Sequence, residues 1–316
     1  MHLYVRLILA VSMSVTLALG QAPAPPAPTS SDSSQPQTAT PSPASIDLRP
    51  DSTGAVPQEQ IRELLRRVAE RDLENSKRGR DYTYIEREET HRLDGHGQVK
   101  KVEARTTEIL VIHGEVANRL IAKDDKPLSA DDARKEEEKI QKIIDKRKNE
   151  SEGDRRKRLE REEKSREKDR QFVKEVADAF NFRLVGSEEV GGREAWVLDG
   201  EPRPGYEPKS NESKMLSKFK GRIWIDKAEA QWVKVDITAI DTISFGVFLA
   251  RIHKGTRIVV ETTRVNEEVW LPKHVTVHID VRLALLKNYD VDVDQVYRDY
   301  KKFRTESKIT VVGETQ

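Results

Sequence analysis

The sequence predicts an α+β protein: a curved antiparallel β-sheet of about ten strands, built as an open half-barrel, with helices on its concave face and a long charged helical insertion. The last third of the chain carries the main observation. Over 271–281, Val275, Val277 and Ile279 alternate with polar residues such as Thr276 and His278. A period of two is typical of strands with one dry and one solvated face. Strands and helices do not alternate regularly along the chain, which favours an antiparallel over a parallel sheet.

The amino terminus predicts export. Arg6 is followed by an apolar run, Leu7 to Leu19, that ends in the small residues Ala18-Leu19-Gly20. This pattern is typical of a signal peptide over residues 1–20, with cleavage before Gln21 and a periplasmic location. An uncleaved, membrane-associated anchor stays open as an alternative, although the run is shorter than the about 20 residues that a bilayer span requires.

The composition narrows the classes of partner and chemistry. The chain has no cysteine, so disulfides, thiolate metal sites and a lipidated cysteine are excluded. It holds 56 Lys and Arg against 55 Asp and Glu, and removal of residues 1–20 takes only Arg6 from these, which leaves 55 and 55. A neutral chain has no overall field for polyanions, and we expect no nucleic-acid partner.

The composition also divides the chain into a leader and a domain. Residues 21–56 are rich in Pro, Ala, Ser and Thr with few large apolar side chains, which predicts a disordered tether. From Pro57 onward, apolar residues recur at helical spacing, which predicts an amphipathic helix from Pro57 to Ser76. We expect one folded domain over 57–312.

Three strands follow this helix in the prediction, at 81–92, 98–112 and 116–122. The first two are joined by a turn that contains Gly95 and Gly97, because glycine supplies the positive φ of tight turns. Ser129 then begins a pattern that resembles a capping box, with Asp132 in place of Glu or Gln. It marks the start of a helical insertion over 129–180.

The insertion is unusual in its charge: between Asp131 and Phe180, 33 of 50 residues are charged. Two interpretations stay open, an arm that grips a partner and a solvated helical excursion laced with ion pairs. Gly153 is expected to interrupt it. Apolar residues near its ends, at 140–144 and 172–180, are expected to dock on the body while the middle projects.

The remainder of the chain predicts seven further strands, in a run broken only by turns and by a Pro- and Ser-rich loop over 202–213. They are expected at 183–190, 193–201, 221–226, 230–239, 256–266, 270–283 and 296–312.

Two short motifs in this region carry a family resemblance. Lys220-Gly221-Arg222-Ile223-Trp224-Ile225-Asp226, with Val269-Trp270-Leu271-Pro272 later, resembles the LolA, LolB and RseB superfamily of periplasmic lipoprotein-binding proteins. The resemblance implies an open half-barrel whose apolar cup receives acyl chains under lid helices. It implies a non-catalytic protein that binds a lipid, an acyl chain or a lipoprotein, in outer-membrane lipoprotein sorting or envelope sensing. The long charged insertion and the Pro-rich leader depart from the superfamily pattern.

The alternating strands and the amphipathic helices together predict the residues of such a cup. The expected cup residues are Trp224, Val233, Val235, Ile237, Val275, Val277 and Ile279. The expected lid residues are Leu64, Leu65, Val68, Phe172, Val176 and Phe180. The alternative is a structural or interaction protein of the cell envelope, with side chains filling the cup and the charged arm contacting a protein partner.

Catalytic and metal-binding patterns are weak in this sequence, and we expect no enzyme, no cofactor and no metal site. No nucleophile elbow, zinc-binding helix or phosphate loop is present. His274 and His278 share a strand face but lie about 13 Å apart at 3.3 Å per residue, too far for one metal. Asp290, Asp292 and Asp294 could bind calcium, but a charged edge strand is the favoured interpretation.

Overall fold

The computed structural model describes residues 48–52, 54–112, 115–245, 250–283 and 287–303. The signal peptide over 1–20, most of the tether and the carboxyl end of the last predicted strand, at 304–312, lie outside the described residues. Within them, thirteen strands form one sheet.

The amino-terminal half contains one helix, then four strands, then two further helices. Its elements are helix α1 (Gln58–Gly79), strands β1 (Tyr82–Leu93), β2 (Val99–Ile112), β3 (Glu115–Lys123) and β4 (Lys126–Pro127), and helices α2 (Ala130–Lys148) and α3 (Glu152–Ala179). Ser129 caps α2 as predicted, because its side chain accepts a hydrogen bond from the Asp132 amide at 3.1 Å.

The carboxyl-terminal half is almost entirely strand. It comprises β5 (Phe180–Val190), β6 (Arg193–Pro202), a short 3-10 helix (Ser213–Lys218), β7 (Phe219–Asp226), β8 (Trp232–Ala239), β9 (Ile243–Phe245), β10 (Ala250–Ile252), β11 (Arg257–Val265), β12 (Val269–Leu283) and β13 (Lys287–Lys302).

The strands pair in the order β4-β3-β2-β1-β13-β12-β11-β8-β7-β6-β5, with β9 and β10 attached at the far end of β12. Every pairing is antiparallel, as predicted. β1 pairs with β13 from Tyr82↔Lys302 to Arg92↔Val291, so the first and last long strands are neighbours. The sheet stays open, because β4 and β5, at its two ends, do not pair with each other in the described part of the chain. The fold class predicted from the sequence is confirmed.

β13 differs from its prediction in length and place. It begins at Lys287, well before the predicted Val296, and lies between β1 and β12 instead of at an edge. The interpretation of its aspartates as protection of an edge strand is therefore wrong. Asp292 and Asp294 have local partners, since each carboxylate lies 2.7 Å from a histidine of β12, His278 and His274 respectively.

The two faces of the sheet differ in chemistry. The inner face, defined by Val235, Ile237, Ile258 and Val277, carries the main buried cluster. On the outer face, polar partners on neighbouring strands form ion pairs: Lys234–Glu261, Asp236–Arg257 and Arg222–Asp199. This confirms the predicted division into one dry and one solvated face along these strands.

Helices α1 and α3 cover the inner face. Ile61, Leu64, Leu65 and Val68 of α1 are at most 2% exposed and pack with Ile223, Ile225 and Trp232 of the sheet. The same cluster includes Leu48, which is 3% exposed, and Val56 packs against it, so these two residues of the predicted tether contact the domain.

The charged insertion docks at both ends as predicted. Ile140 packs on Ile112 and Ala117, and the end of α3 packs on the sheet. The interruption is placed differently from the prediction: α2 ends at Lys148 and α3 begins at Glu152, so Gly153 lies inside α3. Ser151 caps α3 by accepting from the Asp154 amide at 3.1 Å, which explains the break without a glycine.

Ion pairs stabilise the corner between α2 and α3. Arg147 and Arg158 both bind Glu150, at 3.5 Å and 2.7 Å. Arg158 also reaches Glu162 one turn further on, at 3.1 Å. The pairs are local, which supports the interpretation of the insertion as a helical excursion laced with ion pairs.

None of the helices in the described residues has the length and apolar character that a membrane crossing requires.

Candidate functional site

An apolar cavity of about 140 Å³ lies between the inner face of the sheet and the end of α3. Its lining is apolar except for the hydroxyl of Thr256 and the indole nitrogen of Trp232. The sheet contributes Phe182, Gly200, Phe219, Gly221, Ile223, Trp232, Val235, Ile237, Ile258, Val260, Val277 and Ile279. The cover contributes Phe172, Val176, Phe180, Met215 and Leu216, with Ile252 and Thr256 at one end.

Register across the sheet explains the floor of the cavity. One row of paired residues runs Phe182↔Gly200↔Gly221↔Ile237 across β5, β6, β7 and β8. Two neighbouring positions in this row have no side chain, so the sheet surface is lowered there. The Phe182 ring folds over Gly200, where an added Cβ would lie 2.6 Å from the ring. The glycine of the Lys220–Asp226 motif is thus a floor residue of the cavity.

The cover is built from α3, the start of β5 and the 3-10 helix. Phe172 and Val176 lie one turn apart on α3, and Phe180 stacks on Phe182 with a centroid distance of 5.7 Å. Met215 and Leu216 of the 3-10 helix close the other side and are buried. This cover is hereafter called the lid.

Buried hydrogen bonds fix the lid to the loop that precedes the 3-10 helix. Glu175 of α3 is 3% exposed and accepts from the Tyr206 hydroxyl at 2.6 Å and from the Lys209 amide at 2.7 Å. Burial, with the hydrogen bond to Glu175, raises the pKa of Tyr206 to about 12. Ser210 and Ser213 exchange reciprocal hydrogen bonds from amide to hydroxyl, at 2.9 Å and 3.0 Å. The lid is therefore held by polar groups outside the apolar cavity.

Four of the seven predicted cup residues line the cavity: Val235, Ile237, Val277 and Ile279. Val275 is fully buried in the same inner cluster but is not among the lining residues. Sequence reasoning missed Ile258 and Val260 of β11, although their alternation with Val259 and Glu261 carries the same signal as in β12. It also missed the two glycines, because a missing side chain has no periodicity.

Trp224 and Val233 correct the prediction, since both lie on the outer face. They pack with Ala195, Val197 and Trp270, away from the cavity. Trp224 faces outward by ordinary alternation, because Ile223 and Ile225 on either side of it face inward. Val233 faces outward because of a β-bulge: Trp224 pairs with Lys234 and Ile225 with Trp232, which leaves Val233 as the extra residue and inverts its expected parity. Trp232 consequently faces inward. The Trp224 indole donates outward to Glu188 at 2.7 Å.

The predicted lid residues divide into two groups. Phe172, Val176 and Phe180 line the cavity. Leu64, Leu65 and Val68 of α1 pack against the sheet near Trp232 and do not line it. Helix α1 therefore forms a wall beside the cavity, because these three side chains are at most 2% exposed and are buried against the sheet.

Two polar atoms in the lining have no hydrogen-bond partner. They are Nε1 of Trp232 and Oγ1 of Thr256, whose residues are 6% and 1% exposed. Buried donors are nearly always paired in folded proteins, so two unpaired groups in one apolar cavity call for an explanation. They lie at opposite ends of β8, because Trp232 begins the strand and the carbonyl of Thr256 accepts from Ala239 at its end.

Further along the inner face, a carboxyl group has an altered pKa. Glu86 of β1 is partly buried and pairs with Tyr297 of β13, a member of the inner cluster. Burial, with a smaller contribution from Glu88, raises the pKa of Glu86 from 4.5 to about 7. Glu88 itself accepts from Gln295 at 2.7 Å, so the two carboxylates have different surroundings.

These features define a class: an open antiparallel α+β half-barrel with an apolar cavity beneath a helical lid. No family model matches the chain, and no curated protein sequence matches it. Several solved structures are similar. They include a DUF1329 family protein from Desulfovibrio piger, with 10% identity, 80% of this chain and 95% of that chain covered, and a TM-score of 0.29.

Two further solved structures are similar over most of their length. One is a domain from Vibrio parahaemolyticus described as an outer membrane lipoprotein-sorting protein, with 12% identity, coverage of 78% of this chain and 95% of that chain, and a TM-score of 0.26. The other is a LolA superfamily protein from Nitrosomonas europaea, with 6% identity, coverage of 77% and 92%, and a TM-score of 0.27.

Proposed function

We propose that this chain is an exported, non-catalytic binding protein of the cell envelope that holds the acyl chain of a lipid or lipoprotein in the cavity beneath the lid. The observation that carries the proposal is the lining, in which seventeen of nineteen residues offer only apolar side chains or glycine backbone. Small-molecule sites are concave and mostly apolar, with few polar groups that fix orientation. The cavity fits that description.

The size of the cavity adds a condition on how a ligand enters. A closed apolar cavity of about 150 Å³ holds a molecule as small as benzene. The volume here is about 140 Å³. A long acyl chain therefore requires the lid to move, and the lid side chains Phe172, Val176 and Phe180 occupy space that the chain would fill. Ligand and lid compete for the same sheet surface.

The test is displacement of N-phenyl-1-naphthylamine, a neutral dye that fluoresces in apolar surroundings. The dye should bind the purified chain, and fatty acid or lipopeptide should displace it. Val260→Phe fills the cavity from its floor and should abolish dye binding. Val259→Phe is the matched control, because Val259 alternates onto the outer face of the same strand and should leave binding unchanged.

Protein purified from its native host supplies a second measurement. Mass spectrometry of the extracted protein should detect a bound lipid, and the amount should fall in Val260→Phe but not in Val259→Phe. Absence of dye binding in the unaltered chain, together with absence of lipid, would contradict the proposal.

One observation favours a second candidate, a structural or interaction protein whose cup is filled by its own side chains. The lid is anchored by the buried contacts of Glu175, and the remaining space is small. On this alternative, Phe180→Ser should create dye binding that lipid cannot displace. On the acyl-binding proposal, the same variant should bind both dye and fatty acid more readily.

A further inference from the structure

The two ends of the cavity are chemically different. β8 and β11 form the central floor, with Val235↔Val260 and Ile237↔Ile258 as paired apolar positions. Trp232 lies at one end of this track and Thr256 at the other. Trp232 and Ala239 are seven positions apart along β8, so the two ends are about 23 Å apart at about 3.3 Å per residue. An elongated ligand along the track would meet different groups at its two ends.

Thr256 presents the better-defined polar group. Its carbonyl accepts from the Ala239 amide at 2.8 Å and its own amide donates to the His253 carbonyl at 3.3 Å. The backbone is thus satisfied, and the unpaired atom is the side-chain hydroxyl in the cavity lining. A buried hydroxyl with no partner is unfavourable, and a ligand acceptor at this position would remove the cost.

The surroundings of Thr256 are positively charged. The segments 212–220 and 251–257, which supply Met215, Ile252 and Thr256 to the cavity, contain six Lys or Arg and one acidic residue. One of the six, Arg257, is paired with Asp236 on the outer face. Nearby Asp241 is already bound by Lys218. Lys214 and Lys254 are exposed, and neither lies within ion-pair distance of an acidic group that the structure describes. Lys254 adds to Lys218 in lowering the pKa of the Asp241 carboxyl. This end can neutralise an anionic group on the ligand.

The Trp232 end is buried among apolar side chains. Its cluster consists of apolar side chains from α1 and the sheet, including Leu64 and Val68, which are at most 2% exposed. A charged group there would be desolvated without a counterion. An alkyl tail fits these surroundings.

We infer that the ligand is a single-chain amphiphile with an anionic head group that accepts hydrogen bonds. Its head lies at Thr256, near Lys214 and Lys254, and its tail runs along β8 and β11 toward Trp232. This inference rests on the proposed function and specifies the ligand class and its direction in the cavity.

The experiment compares palmitate and methyl palmitate as competitors for bound N-phenyl-1-naphthylamine at pH 8 and low salt. The two have the same chain, but the ester has no charge. Palmitate should bind about tenfold more tightly, the difference expected for one hydrogen bond to a charged group. Added salt should reduce the difference, because exposed charges are screened.

Variants locate the head group. Thr256→Val should weaken palmitate binding about tenfold, because it removes the hydroxyl while it nearly preserves the shape. Trp232→Phe removes the other unpaired donor at the tail end, and it should change the binding of palmitate and of methyl palmitate by similar factors. The surface double variant Lys214→Glu with Lys254→Glu should reduce the preference for palmitate without altering the cavity. It keeps the inference testable if Thr256→Val does not fold.

If palmitate and methyl palmitate both bind and displace the dye equally well, the head-group assignment is wrong. Loss of the preference in Trp232→Phe instead of Thr256→Val would overturn the direction. Failure of both compounds to displace the dye would instead contradict the proposed function itself, so the two failures are distinguishable.

Discussion

The absence of a side chain at Gly221 shapes the cavity floor and also allows β7 to pair closely with β8. A Cβ built on Gly221 would lie 2.1 Å from the Asp236 carbonyl oxygen and 2.7 Å from the Ile237 Cα, both backbone atoms of β8. Carbon and oxygen atoms in proteins approach to about 3.3 Å, so β8 would have to move by about 1 Å. Gly221→Ala should therefore disrupt the β7–β8 pairing.

Two other glycines provide matched controls for the same substitution. At Gly200 the obstacle is the Phe182 ring at 2.6 Å, a side chain that can turn into the cavity. At Gly186, on β5, no atom lies within 4 Å. Overpacking typically costs about 1–3 kcal/mol, and a backbone clash belongs at or above the upper end. We expect losses of about 3 kcal/mol for Gly221→Ala and about 1–2 kcal/mol for Gly200→Ala.

Thermal unfolding followed by circular dichroism measures these changes. For a domain of this size, 1 kcal/mol corresponds to about 2–4 °C, so Gly221→Ala should lower Tm by about 6–12 °C. Gly186→Ala should leave Tm unchanged or raise it slightly, because alanine restricts the unfolded chain. Gly200→Ala should also weaken dye binding, since the displaced ring enters the cavity. Equal Tm values for Gly221→Ala and Gly186→Ala would refute the reasoning.

Three further predictions concern burial, protonation and capping. Val277→Asp should lower the free energy of unfolding by at least about 2 kcal/mol, because the carboxyl is desolvated in the lining; Thr276→Asp, on the opposite face, should cost much less in the same urea titration. Because burial raises the pKa of Glu86 to about 7, the folded state holds this proton more tightly than the unfolded state. The free energy of unfolding should therefore fall as the pH rises from about 4.5 to about 7. In Glu86→Gln the urea midpoint should depend less on pH over this range, and an equal pH dependence in the variant and the unaltered chain would contradict the assignment. Ser129→Ala should cost about 1 kcal/mol through loss of the α2 cap, and a chevron or equilibrium titration that shows no change would exclude that role.

Local sequence patterns were sufficient to predict the structure where apolar and polar residues alternate without interruption or where a capping residue begins a helix. Alternation in β12 correctly assigned Val277 and Ile279 to the inner face, and Ser129 correctly marked the start of α2. The same reasoning failed at Val233, because a β-bulge adds one residue and reverses the parity of everything before it. A bulge leaves no mark in the hydrophobic pattern of a single strand, so only the pairing with β7 shows it.

The predicted site was incomplete for a related reason. Gly200 and Gly221 lie on different strands, and their common row on the floor depends on the register of β6 against β7. The position of α1 on the sheet also could not be predicted from the sequence. Its amphipathic face predicted burial against a sheet, but the structure places Leu64 and Val68 beside Trp232 as a wall and not over the cavity as a lid.

By itself, the sequence determined the fold class, the identity of the dry face along regular strands and the charged, ion-paired nature of the insertion, because each depends on residues close together in the chain. Only the tertiary structure decided that β1 pairs with β13, that two glycines meet beneath the lid, and that the hydroxyl of Thr256 is buried without a partner. These features join segments far apart in the chain. Periodicity reports which side of a strand is dry, whereas a cavity depends on which strands are neighbours and in what register.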